Sequence, residues 1–180
     1  MKKILVTGCG GQVGTELVAH LRGLYGDANV MASDFRAQEG HSGPFALLDV
    51  RDGKAVAALL DSFKPDTVMH LAGILSARGE ERPQQLWETN MGGTYNMLEA
   101  ARERGCAVFF PSSIAAFGPG TPADRTPQDT IQRPTTIYGV SKVTGELLGE
   151  YYHLKYGLDV RGVRFPGLIS YEALPGGGTT

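Results

Sequence analysis

Apolar residues along this chain fall into short runs that alternate between two rhythms. Six runs rich in Val, Ile, Leu and Phe occupy Lys3–Thr7, Val30–Ser33, Phe45–Leu48, Thr67–Leu71, Ala107–Phe110 and Val160–Phe165. Most lack alternation with polar residues, the pattern of parallel strands buried on both faces. Between them, apolar positions return every three or four residues. Val13, Leu17, Val18, Leu21 and Leu24 form one such stripe, and residues 54–63, 83–104 and 136–156 carry others, which predicts amphipathic helices. Pro83 suits a helix start, where its missing N–H leaves no bond unmade. Strand and helix alternating across short links predict right-handed crossovers and an α/β fold: a doubly wound parallel sheet of about six strands in the order 3-2-1-4-5-6, with helices on both faces.

One segment breaks the rhythm. Residues 118–134 contain Pro119, Pro122, Pro127 and Pro134 among polar residues, which predicts a surface loop of the kind that shapes a substrate mouth. The last residues, Pro175 to Thr180, form a glycine-rich turn with no element after it. Neither an internal repeat nor a domain linker is visible, so residues 1–180 read as one domain, and 42% apolar content gives it a sizeable core.

The formal charge of −2 comes from interspersed acids and bases, which argues against nucleic acid or an acidic membrane as partner and leaves a small molecule. Cys9 and Cys106 have no metal-ligand spacing, and the four histidines are scattered, so no metal site and no disulfide framework are expected. The apolar run after Lys2 and Lys3 is too short for a signal peptide or membrane helix, so the expected compartment is the cytoplasm.

The first strand runs into Gly8-Cys9-Gly10-Gly11-Gln12-Val13-Gly14 and then into a helix. In this context Gly8 permits the tight turn, Gly11 lets the backbone approach a pyrophosphate, and Gly14 lets helix pack on strand, while helix N–H groups face the anion. This is the fingerprint of a Rossmann dinucleotide site. Twenty residues past Gly14, Asp34 ends the second strand. A carboxylate there accepts from both adenosine-ribose hydroxyls and repels a 2′-phosphate, favouring NAD over NADP, although Arg36 partly offsets the repulsion. After the third strand, Asp49 and Val50 can address the adenine, unless Asp49 is a helix cap. Leu71-Ala72-Gly73 supply small residues where adenosine would lie over the strand ends. Asn90 precedes Gly92 and Gly93, each of which costs a helix about 1 kcal/mol relative to Ala, so something must approach closely. Asn90 itself can bond neighbouring backbone and form the cofactor floor. Cys9 is either a small buried filler or a thiol activated by a helix N-terminus.

Tyr138 and Lys142 stand four apart at the start of a predicted helix, hence on one face. A phenol is a poor base at neutral pH, but an adjacent ammonium and a bound nicotinamide cation favour the phenolate. Lys142 can also hold the nicotinamide ribose. Without the dinucleotide loop upstream, the two would read as an ordinary surface pair. Ser112 and Ser113 follow the fifth strand at the ligand-binding edge, where a hydroxyl can orient a substrate oxygen or bond the turn's backbone. The residues alone do not choose between them.

The glycine loop, the serine before Phe117-Gly118, and Tyr138 with Lys142 resemble the extended short-chain dehydrogenase/reductases. In that pattern the active hydroxyl precedes the aromatic-glycine pair by four residues, which selects Ser113. Within that superfamily, Leu75-Ser76-Ala77, residues 114–119, residues 131–142 and the Pro175 to Thr180 turn resemble the L-threonine 3-dehydrogenases. The resemblance implies oxidation of the L-threonine 3-hydroxyl to L-2-amino-3-oxobutanoate, with hydride passing to NAD. Tyr138 would take the proton, Ser113 would hold the oxygen and Lys142 would lower the tyrosine pKa. It further implies Ser76 and Thr179 at the amino-acid head group, Leu168 along the nicotinamide pocket, and a homodimer through the long helices. Members of that family continue past the glycine-rich turn into a smaller substrate-covering portion, so residues 1–180 would be the dinucleotide-binding domain. Two other readings stay in play: a nucleotide-sugar epimerase or dehydratase, and a weak or silent NAD-binding module. A dehydratase would be expected to place an acid beside the active hydroxyl, where this chain has Ile114 and Ala115.

Overall fold

The computed structural model describes residues 2–38 and 42–169. Six parallel strands, β1 (Ile4–Thr7), β2 (Val30–Asp34), β3 (Phe45–Leu47), β4 (Thr67–His70), β5 (Ala107–Ser113) and β6 (Val160–Phe165), form one sheet in the order β3-β2-β1-β4-β5-β6. This is the expected doubly wound order, with its reversal between β1 and β4. β5 runs three residues further than its apolar pattern, because Pro111, Ser112 and Ser113 pair with Val163, Arg164 and Phe165 of β6.

The helices are α1 (Gln12–Tyr25), α2 (Gly53–Phe63), α3 (Ser76–Glu81), α4 (Pro83–Leu86), α5 (Gly93–Arg104) and α6 (Ile137–Tyr156). Side-chain parity along β1 assigns them to faces. Leu5 points into a core shared with Val56 and Leu60 of α2, Met97 and Leu98 of α5, and Tyr152 of α6. Ile4 and Val6 point the other way, onto Val18 and Leu21 of α1. Asp52 caps α2 by accepting from the backbone N–H groups of Lys54 and Ala55 at 3.0 and 3.1 Å, and Thr136 caps α6 through Gly139.

The predicted helix over residues 83–104 is continuous but not uniform. A π-helical turn at Trp87–Gly92 joins α4 to α5, and such bulges are frequent at functional sites. The close approach expected at its glycines occurs at one of them: a β-carbon on Gly93 would meet the Val50 side chain at 2.6 Å, whereas none would be met within 4 Å at Gly92. What needs the space is therefore a core valine. Helix α3 has no counterpart among the sequence expectations, because six residues carrying Arg78, Glu80 and Glu81 show no apolar stripe. Residues 118–134 form the expected loop, pinched at its neck where Gly118 lies against Arg133.

Candidate active site

All six strands point the same way, so every segment leaving a carboxyl end reaches one edge of the sheet. Gly8, Asp34, Asp49, Leu71–Gly73, Ser113 and Leu168 follow or end β1 to β6 in turn. Gly8 takes φ +70°, and a β-carbon there would meet the Ala72 backbone at 2.7 Å. A side chain on Gly14 would lie 2.3 Å from the Gly8 carbonyl, so α1 starts in contact with the turn below it. Gly11 is exposed, and no side chain caps α1. A helix of 14 residues with a bare, glycine-built N-terminus fits a pyrophosphate. Asp34 accepts from the Gly10 N–H at 3.1 Å and the Arg36 N–H at 3.3 Å, which aims its carboxylate along the glycine turn. The chain thus has the shape that a dinucleotide requires. Opposite, the Gln12 amide donates to the Leu168 carbonyl at 3.3 Å, joining two of the expected cofactor residues across 156 positions.

The other expected residues divide. Asn90 is buried and pairs with Ile74 twice, accepting from its N–H at 2.7 Å and donating to its carbonyl at 3.0 Å, so it fixes the segment after β4. Asp49 is not a helix cap: it grips Arg51 with distances down to 2.5 Å, and that guanidinium holds its carboxyl below the usual range. Val50 is buried in the core beside Gly93. Val13 is partly buried at the start of α1, and Ser76 opens α3. Thr179 lies outside the described residues. Cys9 is the buried filler, and burial pushes its thiol up to about 11, the reverse of activation.

The geometry separates the two serines. Ser112 is buried with its hydroxyl on Glu146, whereas Ser113 is partly exposed, accepts from the Ala115 N–H at 3.1 Å and acts on the Tyr138 phenol. Lys142 sends its ammonium to the Pro111 carbonyl at 2.7 Å and over the Tyr138 ring at 5.2 Å. Burial lowers its pKa to about 8. Burial raises the Tyr138 phenol, and the Ser113 hydroxyl opposes that rise. The ammonium lies over the ring and on a carbonyl.

Sequence reasoning missed two features. His70 is buried at the end of β4 with Nδ1 on the Thr7 hydroxyl at 3.0 Å, and burial followed by the nearby Lys142 charge lowers it to about 4. Glu146 binds Ser112, Gln132 and Arg164. Its position one turn after Lys142, on the same helix face, is a signal that spacing would have given. A cleft of about 640 Å³ between α6, β6 and the 126–128 segment is lined by Ser112, Glu146 and Arg164 but not by Ser113 or Tyr138, so it lies beside the candidate site.

The family profile of NAD dependent epimerases and dehydratases matches residues 4–178. The chain belongs to that family. Its cofactor is accordingly NAD. An uncharacterized epimerase/dehydratase of Staphylococcus saprophyticus is 58% identical over 184 residues, covering 100% of this chain and 58% of the relative. The chain therefore spans about 58% of the length of that relative. Among solved structures, the L-threonine dehydrogenase of Clostridium difficile superposes with a TM-score of 0.97 at 54% identity, over 99% of this chain and 57% of that one. A GalE-like L-threonine dehydrogenase of Cupriavidus necator, in its holo form, gives 0.94 at 47%, over 98% and 58%. The UDP-glucose 4-epimerase of Thermus thermophilus, in complex with NAD, gives 0.85 at 28%, over 98% and 59%.

Proposed function

We propose that this family member oxidises the 3-hydroxyl of L-threonine to L-2-amino-3-oxobutanoate. The observation that carries the reading is Tyr138 and Lys142 on one helix face, the ammonium 5.2 Å from the centre of the phenol ring, with the Ser113 hydroxyl acting on the same phenol at the sheet edge next to a dinucleotide turn. The 54% identity to an L-threonine dehydrogenase at a TM-score of 0.97 supports L-threonine as the substrate.

NAD, when bound, supplies the hydride acceptor. Gly8, Gly11, Gln12, Val13 and Gly14 would hold its pyrophosphate and Asp34 its adenosine ribose. Asp49, Val50, Leu71, Ala72, Gly73 and Asn90 would shape the adenosine side, and Leu168 the nicotinamide side. Ser113 holds the substrate oxygen and Tyr138 removes its proton. Burial sets a high starting pKa for the phenol, so the positive charges that gather at the site have to favour the phenolate. Lys142 would hold the nicotinamide ribose and, as a cation, contribute to that field. Ser76 and Thr179 would meet the amino-acid head group.

Val140, Leu147, Tyr151 and Leu154 form an exposed apolar stripe along α6 beside Tyr95 of α5, which supports a homodimer through these helices. Both cysteines are buried and in no disulfide, and among the described residues no helix is long and apolar enough to cross a membrane, which suits a cytoplasmic enzyme.

NADH formation by this chain with L-threonine, and none with UDP-sugars, is the expected result. Turnover of a UDP-sugar alone would favour the epimerase reading that the family description and the 28% identical neighbour raise. NAD binding with no turnover of either would favour a silent module.

A further inference from the structure

Ser113 owes its place to more than its own strand. Lys142 holds the Pro111 carbonyl at 2.7 Å, and one helical turn on Glu146 holds the Ser112 hydroxyl. Helix α6 thus grips β5 at the two residues before Ser113, while carrying Tyr138 at its own start. The second oxygen of Glu146 accepts from the Gln132 amide at 2.9 Å. Arg164 of β6 meets the same carboxylate, its Nε at 3.0 and 3.2 Å and its Nη2 at 2.7 Å. That guanidinium also donates to the Gln128 carbonyl at 3.1 Å and lies over the Phe117 ring at 5.3 Å. The side chains are only 22% and 18% exposed, so each charge has given up most of its water for these partners. A buried pair of this kind adds little net stability, and its geometry is what it contributes.

We propose that Glu146 is a positioning residue: by tying β5, β6 and Gln132 to α6 with one carboxylate, it registers the Ser113 hydroxyl with Tyr138 and seats the 118–134 loop beside the site. The inference rests on the oxidoreductase reading for its kinetic consequence, but its structural consequence stands apart from that reading. Ser113 acts through a single hydroxyl, and a displacement of about 1 Å costs on the order of 100-fold in rate.

Glu146→Gln removes the charge facing Arg164 while keeping the shape, and Ser112→Ala removes only the strand tie. Hydrogen exchange followed by mass spectrometry, alongside kcat, KM and NAD affinity, reads both. In Glu146→Gln the segments 108–121 and 124–134 are expected to exchange about 10-fold faster, the loss of one charged hydrogen bond, with β1 to β4 unchanged. The rate constant kcat falls about 10- to 100-fold while NAD affinity stays within about twofold. Ser112→Ala loosens 108–121 alone. Unchanged exchange in both segments, equal loosening across the whole sheet, or an unchanged kcat would overturn the proposal. Should the parent chain show no threonine turnover, the proposed function fails, and the exchange pattern alone decides the role of Glu146. Should Glu146→Gln not fold, Ser112→Ala decides it.

Discussion

Replacing Lys142 by Met should stabilise the fold while removing the candidate activity. Burial lowers the lysine from its ordinary 10.5 to about 8, which at 1.36 kcal/mol per pKa unit amounts to about 3 kcal/mol against the charged form at pH 7. Methionine is close in shape and carries no charge. The loss of the bond to the Pro111 carbonyl offsets about 1–3 kcal/mol of this gain. The net effect at pH 7 is about 1 kcal/mol of stabilisation, a rise of roughly 2–4 °C in Tm for a domain of this size. The pH dependence is the sharper part. The unfolded chain keeps the lysine proton up to its ordinary pKa, the folded chain only to about 8. Between those values the unfolded state binds more protons, so parent stability rises with pH by about 2.5 kcal/mol from pH 7 to pH 10. Lys142→Met lacks this component. Urea titrations of both proteins at pH 7, 8.5 and 10 check it, since other titrating groups cancel in the difference. Parallel pH profiles would refute the idea that the ammonium is held against a desolvation cost.

Other consequences follow from the same geometry. In Ser113→Ala the hydroxyl that opposes the rise of the Tyr138 phenol is lost, so its pKa climbs further and the acid limb of the pH–rate profile should move to higher pH; a limb that stays put would remove Ser113 from the phenol's environment. Asp34→Asn removes the charge that repels a 2′-phosphate while Arg36 remains, and fluorescence titration should show the preference for NADH over NADPH falling by about 10-fold or more. A methyl group on Gly145 would sit 2.3 Å from the Phe110 ring, so Gly145→Ala should cost about 1–3 kcal/mol in urea unfolding. Leu147→Glu places a charge in the exposed stripe on α6, and sedimentation should report a monomer where the parent chain reports a dimer.

The sheet order and the helices of both faces were legible because buried parallel strands and amphipathic helices leave strong periodic signals, and because crossover handedness restricts how they connect. The glycine turn was equally plain, since a positive φ at Gly8 and the close backbone approach at Gly14 demand that residue type. Other features depend on contacts that spacing does not display. Gly93 makes room for Val50, 43 positions earlier, and a sequence cannot show which partner needs the space. Ser112 and Ser113 look alike until the pleat sends one toward Glu146 and the other toward Tyr138. Burial is likewise invisible to spacing: Tyr138 and Lys142 share a face, but how deeply each is buried governs its proton affinity.

Hydride removal from a secondary alcohol at Ser113, Tyr138 and Lys142 is tested by supplying L-threonine deuterated at C3 and following the label by NMR in the parent chain and in Tyr138→Phe. The deuterium is expected in the reduced nicotinamide of the parent reaction and absent from the amino-ketone product, and Tyr138→Phe is expected to bind NAD yet transfer none. Label retained in the amino acid by a protein that binds NAD, or transfer undiminished in Tyr138→Phe, would contradict it.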